Sequence, residues 1–336
     1  MAPGFETEEA LKRPRRRQVT GQGAQRRRAT RRPNECKGVA SRTLNTLLAH
    51  LGQADLERLS RRAPAFAGDV AFRRFCTPLL SAQRPANYEE LADRARFHLR
   101  GARSERIATP QAELQAYIFE PDAAPSKGSV LLVHGWTAEA AFMTAFAEPL
   151  RRSGYRVVAF DFPAHGRSDG SYTNLAACAR AMLGLADAAG PFCAFVAHSF
   201  GGLVALLVAE GGPPLYRAHR FDRLVLLACP NRLSDVTRNF GASLKLAPAA
   251  QRAYERHIER VGHRTVAGFS AVNLLRKIGQ PALILHSRDD EDVPFAQAEQ
   301  IAAAVPGVEL MAFEGLGHRR LLYAPPVTRA VTRYLI

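Results

Sequence analysis

Short apolar runs alternate with longer amphipathic segments along the chain after residue 103. The runs are apolar on both faces, as expected for strands of a parallel sheet that helices cover on each side. Their alternation with helical segments predicts βαβ units, joined by right-handed crossovers into a doubly wound, mostly parallel α/β sheet. The runs are LQAYIF (114–119), SVLLVH (129–134), YRVVAF (155–160), CAFVAH (193–198), RLVLLAC (223–229), PALILH (281–286) and VELMAF (308–313).

Two other stretches have a helical pattern. Residues 41–102 place apolar side chains such as Leu44, Leu47 and Leu51 at helical spacing. Residues 231–280 look helical and are too long for a simple crossover, so we predict a small helical cap inserted there. The expected organisation is a basic tail at 1–40, a helical leader at 41–102, and an α/β domain at 103–336 that carries the cap at 231–280.

The charge distribution separates the tail from the rest. The net charge is +15 at pH 7, and residues 1–40 hold 11 Lys and Arg against 4 Asp and Glu. This tail has no apolar period, so we expect it to be disordered and dispensable for catalysis. The blocks at 111–230 and 281–336 are close to neutral, so no specific nucleic-acid partner is expected. Association with nucleic acid or a membrane through the Arg-rich tail is kept as an alternative.

The predicted cap is also basic. Residues 231–280 hold 9 Lys and Arg against 3 Asp and Glu. This excess leads to the hypothesis that the cap favours substrates with a carboxylate or phosphate group.

The cysteines and the N-terminus bear on the compartment. The five cysteines form no CxxC pair, and the N-terminus has no apolar signal region. We therefore expect reduced thiols and a cytoplasmic protein. The apolar run 193–209 is interrupted by His198, Ser199 and two glycines, so we predict a strand–turn–helix there and no membrane span.

Ser199 in AHSFGG is the candidate nucleophile. A sharp turn between a strand and a helix exposes a serine hydroxyl but crowds the residues two before and two after it, which here are Ala197 and Gly201. The helix that begins at Phe200 directs free N–H groups at a developing oxyanion. A second N–H is needed from the loop after the strand SVLLVH, and Trp136 in HGW is the candidate, with Phe200 supplying the first.

The candidate acid lies in HSRDDEDVPF, after the strand PALILH. Asp289, Asp290 and Asp292 are local candidates, and Asp235 is a remote one. Asp292 precedes Val-Pro and is predicted to cap the next helix. An extended backbone would point Asp289 away from Asp290.

His318 in GLGHRR is the candidate base, because it is the only histidine after residue 286. In a serine triad of this kind the chain order is Ser, acid, His. One base suffices for the mechanism, so His165, His198 and His286 are predicted to be structural.

These motifs resemble those of the α/β-hydrolase superfamily across residues 103–336. AHSFGG resembles its nucleophile elbow, HGW its oxyanion motif, and DFPAHGRS (161–168) its D-x-P-G-H-G-x-S loop, with Ala164 where glycine is usual. HSRDDEDVP resembles the acid motif HGxxDxxVP, which implies that Asp290 is the acid. The leader motif FCTP (75–78) and the ending GLGHRRLL resemble a group of bacterial hydrolases with a short cap.

The resemblance implies a serine hydrolase that cleaves a small-molecule carboxylic ester or thioester through an acyl-enzyme. A cofactor-free perhydrolase or an acyltransferase would use the same triad with a different acceptor. No cofactor and no metal are expected, because the sequence has no metal-binding motif such as HxxEH.

Overall fold

The computed structural model describes residues 52–81, 84–122 and 127–336. The predicted tail at 1–40 and the first part of the leader lie outside these ranges. One eight-stranded sheet crosses the molecule, in the order β1-β2-β4-β3-β5-β6-β7-β8. Its strands are β1 (Arg103–Ala108), β2 (Glu113–Phe119), β3 (Ser129–Val133), β4 (Arg156–Phe160), β5 (Ala194–His198), β6 (Arg223–Leu227), β7 (Ala282–Ser287) and β8 (Val308–Phe313).

The seven apolar runs form strands β2 to β8. Along the order β4-β3-β5-β6-β7-β8, each strand pairs in parallel with its neighbour. The predicted doubly wound, mostly parallel sheet is therefore present. Strand β1 was not predicted. It is an antiparallel edge strand on β2, and all but one of its residues are exposed, so its sequence RSERIA carries no apolar signal.

Eleven α-helices lie within the described ranges. They are α1 (Gln53–Arg62), α2 (Pro64–Phe75), α3 (Tyr88–Arg96), α4 (Ala147–Arg152), α5 (Leu175–Ala189), α6 (Phe200–Glu210), α7 (Leu233–Ser243), α8 (Pro248–Gly262), α9 (Ala271–Ile278), α10 (Ala296–Ala304) and α11 (Pro325–Leu335). Short 3₁₀ helices span Pro78–Leu80, Phe97–Leu99, Ala140–Phe146, Val266–Gly268 and Arg320–Leu322.

The inner strands of the sheet, β2 to β7, are buried on both faces. Successive side chains of β3 alternate, with Leu131 and Val133 in one apolar cluster and Val130 and Leu132 in the other. Helices α5, α6, α9 and α10 cover the first face, while α4, α11 and the 3₁₀ helix Ala140–Phe146 cover the second. In the described part of the chain, no helix combines the length and apolarity needed to cross a bilayer.

The segment 231–280 divides into two parts that its sequence did not distinguish. Helix α9 packs on α6 in the layer of helices that covers the first face of the sheet, as an ordinary crossover helix does. Helices α7 and α8 instead lie with the leader, where α2 packs along α8. The contact is close at Gly68, where a Cβ would stand 2.6 Å from the Cβ of Ala253.

Candidate active site

Ser199 sits at a strained turn between β5 and α6. Its φ is 51° and its ψ is −122°, a conformation that L-residues adopt only when the surroundings impose it. The turn requires a small residue after it, because a Cβ on Gly201 would lie 2.3 Å from the carbonyl oxygen of His134. Ala197 is fully buried in β5, so its methyl group is accommodated where the related motif has glycine.

Ser199, His318 and Asp290 form one hydrogen-bonded chain. The Nε2 atom of His318 is 3.0 Å from the Oγ atom of Ser199, and its Nδ1 atom is 2.8 Å from Oδ2 of Asp290. Asp290 follows β7 and His318 follows β8, so both reach the carboxyl edge of the sheet from neighbouring strands. An ionised Asp290 fixes the proton on Nδ1, which leaves Nε2 to accept the serine proton.

The carboxylate of Asp290 is buried and held by several donors. Its Oδ1 accepts the backbone N–H groups of Asp292 at 3.0 Å and Val293 at 2.8 Å. Its Oδ2 lies 3.2 Å from Nε2 of His286, in addition to the contact with His318. Burial acts to raise the pKa of Asp290, but hydrogen bonds from His286 and His318 outweigh it and hold the pKa well below its usual range. Asp290 is therefore ionised at neutral pH.

The other candidate acids have different surroundings. Asp289 is exposed and accepts from the Ser287 hydroxyl and, at 3.3 Å, from the N–H of Gly317. Asp235 belongs to α7 and pairs with Arg238. The predicted helix cap at Asp292 is wrong. Helix α10 begins at Ala296 without a side-chain cap, and the N–H groups of Gln297 and Ala298 donate to the carbonyl oxygens of Pro294 and Phe295 instead.

His198 and His286 are buried and brace the site. The Nε2–H of His198 donates to the carbonyl oxygen of His318 at 3.0 Å, and burial lowers the pKa of His198 to about 3, so it stays neutral. The Nε2 of His286 lies 2.8 Å from the carbonyl oxygen of Val293 and also contacts Asp290. Their sequence positions did not indicate these contacts.

His165 supports the oxyanion loop. Its Nε2 accepts the N–H of Thr137 at 3.3 Å and its Nδ1–H donates to Pro163 at 3.0 Å, while burial lowers its pKa to about 4. Within the described residues, the backbone N–H groups of Trp136 and Phe200 have no protein acceptor. Gly135 lets the loop approach closely, since a Cβ there would lie 3.2 Å from the Cβ of Ser199.

A cavity of about 720 Å³ opens above Ser199. Its walls come from the leader, from the loops at the sheet edge and from α7. Among the described residues, the charged ones in its lining are Arg74, Asp235, Asp292 and Arg319, two of each sign. The only charged side chain that α7 and α8 contribute is the carboxylate of Asp235, and no basic residue of these two helices lines the cavity. This lining does not support the hypothesis that the cap favours anionic substrates.

Ala164 adopts a backbone conformation suited to glycine, with φ at 64°. We expect Ala164→Gly to raise the free energy of unfolding by about 0.5–1 kcal/mol, because an L-residue is strained there. Ala181→Gly in α5 is the control and should lower it by a similar amount. Urea titration of both variants checks this, and a destabilised Ala164→Gly would contradict it.

No group of three or more His, Cys, Asp or Glu side chains in the described ranges is arranged to hold a metal ion.

Comparison with known proteins places this geometry in a family. The model of the alpha/beta hydrolase family matches residues 130–331. RutD of Variovorax paradoxus strain S110, a candidate carbamate hydrolase, is 30% identical over 237 residues, which are 58% of this chain and 86% of RutD. A non-heme chloroperoxidase of Streptomyces lividans is 26% identical over 254 residues, 62% of this chain and 92% of that protein.

Solved structures agree at the level of the fold. Est1E of Butyrivibrio proteoclasticus, solved with ferulic acid bound, has a TM-score of 0.53 and 19% identity, over 69% of this chain and 97% of that one. The Pyrococcus furiosus esterase Pf2001 has a TM-score of 0.52 and 22% identity, over 70% and 91%. The family model and these solved structures agree with the predicted fold class. The chain belongs to the alpha/beta hydrolase family.

Proposed function

We propose that this protein is a serine hydrolase that cleaves a small-molecule carboxylic ester or thioester through an acyl-enzyme. The observation that carries the proposal is the hydrogen-bonded chain from Ser199 Oγ through His318 to Asp290. It borders the same cavity as Trp136 and Phe200, whose backbone N–H groups have no acceptor in the described part of the protein. A serine hydroxyl becomes a nucleophile only with an aligned base, and this arrangement supplies one.

The proposed first half-reaction transfers the acyl group to the enzyme. Nε2 of His318 takes the proton of Ser199 as Oγ attacks the substrate carbonyl, and the N–H groups of Trp136 and Phe200 stabilise the oxyanion. Collapse of this intermediate expels the alcohol or thiol, which takes its proton from Nε2. Asp290 remains ionised and balances the imidazolium, in agreement with its lowered pKa.

The second half-reaction returns the enzyme to its starting state. Water enters, gives a proton to Nε2 of His318 and attacks the acyl-enzyme carbonyl. The second oxyanion uses the same two N–H groups, and its collapse returns the proton to Ser199 and releases the carboxylic acid.

A substrate panel tests the proposal. Purified protein is assayed with p-nitrophenyl esters of increasing chain length, with acyl-CoA thioesters, and with an aryl carbamate, because a 30% identical relative is a candidate carbamate hydrolase. The Ser199→Ala protein is the blank. We expect turnover of at least one ester or thioester well above that blank, and no turnover of any of them would contradict the proposal.

A second candidate is a perhydrolase, in which hydrogen peroxide attacks the acyl-enzyme in place of water and leaves with the acyl group as a peracid. The resemblance to a non-heme chloroperoxidase supports it. The enzyme is incubated with an ester and hydrogen peroxide. A fraction of peracid in the product that exceeds the molar ratio of peroxide to water would favour this candidate. Carboxylic acid as the only product would exclude it.

A cytoplasmic location is part of the proposal. The cysteines within the described ranges, Cys76, Cys178, Cys193 and Cys229, are free thiols, which supports a reducing compartment.

A further inference from the structure

The leader contributes side chains to the cavity wall, although it lies outside the region that the family model matches. The family model begins at residue 130, after the whole leader, and the relatives named above match about 60% of this chain. Yet six cavity-lining residues come from the described part of the leader: Arg74, Phe75, Ser81, Pro85, Tyr88 and Leu91. The binding space above Ser199 is therefore partly built from a segment outside the family's matched region.

Leader helix α2 is docked on α8 over much of its length. The approach at Gly68 leaves no room for a side chain against Ala253. Further along α2, the ring of Phe72 stacks on His257 with centroids 5.2 Å apart, and Asp69 lies 3.5 Å from the same imidazole. Helices α2, α7 and α8 thus form one helical layer.

Leader helix α3 is fixed to the oxyanion loop. Glu139, three residues after Trp136, is only 3% exposed. Arg96 of α3 binds its two carboxylate oxygens at 2.6 Å each, and the hydroxyl of Tyr88 donates to one of them at 3.0 Å. Buried charge-assisted bonds of this kind hold α3 in one position beside the site.

Phe75 of the leader contacts the candidate oxyanion residue Trp136. Its ring stacks on Trp136 with centroids 6.5 Å apart, and it packs against Phe240 of α7 at 5.1 Å and Tyr254 of α8 at 5.5 Å. Trp136 in turn contacts Phe200, with centroids 5.1 Å apart. Phe75 therefore joins the two oxyanion residues to the inserted helices.

The wall that Phe75 belongs to is apolar. The same cavity is lined by aliphatic side chains of α6 and α7, namely Leu203, Leu233 and Val236. A space of about 720 Å³ is within the range that holds a drug-sized ligand, and far exceeds the needs of an acetyl group. Apolar walls of this extent favour an apolar ligand group by excluding water from both surfaces.

We propose that the leader helices form part of the substrate-binding wall, and that Phe75 makes this enzyme selective for esters or thioesters with a large apolar group. This inference rests on the proposed function for its kinetic test. It adds a specificity-determining residue from a segment outside the family's matched region.

The kinetic test compares Phe75→Ala with Phe66→Ala. Phe66 lies on the same helix but is 50% exposed and does not line the cavity, so it controls for the loss of a phenyl ring from α2. The substrates are p-nitrophenyl esters from acetate to dodecanoate, and alkyl thioacetates from methyl to decyl. The first series lengthens the acyl group and the second the leaving group.

We expect Phe75→Ala to lower kcat/KM for the longest member of one series at least tenfold more than for its shortest member, mainly through KM. Phe66→Ala should change neither value. Phe75→Trp, which fills space, should move the preference toward shorter chains. Unchanged chain-length profiles in both Phe75 variants would overturn the proposal while leaving the hydrolase function intact. A parallel loss on every substrate in both variants would assign Phe75 a purely structural role and also overturn it.

A binding measurement separates this inference from the proposed function. Trp136 is the only tryptophan of the chain and lines the cavity, so its fluorescence reports occupancy without catalysis. Titration with 1-decanol should give a saturable change in the wild-type and Phe66→Ala proteins, and an apparent Kd at least tenfold weaker in Phe75→Ala. If no ester is hydrolysed but this difference is found, only the proposed function fails. Equal Kd values in all three proteins would overturn the role of Phe75.

Discussion

Replacing Ser199 by alanine is expected to lower kcat for a p-nitrophenyl ester by about 10⁴-fold or more, the loss that follows removal of a triad nucleophile. The 3.0 Å contact between Oγ and Nε2 of His318 disappears, and no acyl-enzyme can form. The oxyanion N–H groups and the cavity remain, so substrate binding should change little. Steady-state kinetics of the purified variant measure the loss.

Folding has to be checked on the same preparation. Alanine can adopt the strained φ of 51° as readily as serine does, so the thermal midpoint should stay close to that of the wild type. Ser153→Ala, which removes a hydroxyl bonded to the Pro149 carbonyl oxygen in α4, is a matched control and should keep full activity. Hydrolysis at near wild-type rate by Ser199→Ala would reject this residue as nucleophile.

Asp290→Asn is expected to lower kcat by roughly 10³–10⁴-fold while the fold survives. An amide at this position can present its N–H₂ group to Nδ1 of His318, which favours the tautomer with the proton on Nε2. That tautomer cannot accept the proton of Ser199. The amide oxygen can still accept the backbone N–H groups of Asp292 and Val293, which preserves the turn.

Three further substitutions identify the acid. Asp289→Asn and Asp292→Asn should each cost less than about tenfold, because both carboxylates are exposed and neither contacts His318. Asp235→Asn should also be mild, since that carboxylate pairs with Arg238. Nearly wild-type activity of Asp290→Asn together with an inactive Asp235→Asn would show that the triad acid is Asp235, which follows strand β6.

The sequence predicted those parts of the fold that depend on local pattern. Seven strands were predicted because each has a continuous apolar run, and β2 to β7 bury nearly all of their residues, whereas the edge strand β8 is only partly buried. Strand β1 was missed because an exposed edge strand is held by backbone hydrogen bonds, which any side chains permit. The cap at Asp292 was misassigned because an aspartate before Val-Pro has the composition of a helix start, whereas the helix begins only at Ala296, four residues later, and its first N–H groups donate to backbone carbonyl oxygens.

Contacts between distant segments could not be derived from the sequence. Gly68 and Ala253, or Arg96 and Glu139, are joined only by the tertiary fold, and nothing in their own neighbourhoods predicts the contact. For the same reason the sequence did not predict that α9 packs on the sheet-covering helix α6 while α7 and α8 lie with the leader. The candidate triad could be predicted from the sequence because each member follows a strand, and the carboxyl ends of the strands of a parallel sheet lie at one edge.

Fluorophosphonate labelling tests the central claim most directly, because such a probe forms a stable bond only with an activated serine. The wild-type protein should gain the mass of one adduct per chain, and peptide mapping should find it on Ser199. The Ser199→Ala protein should gain none under the same conditions, and Asp290→Asn should react far more slowly. An adduct on a different residue, or an unlabelled wild-type protein that still hydrolyses esters, would contradict the account.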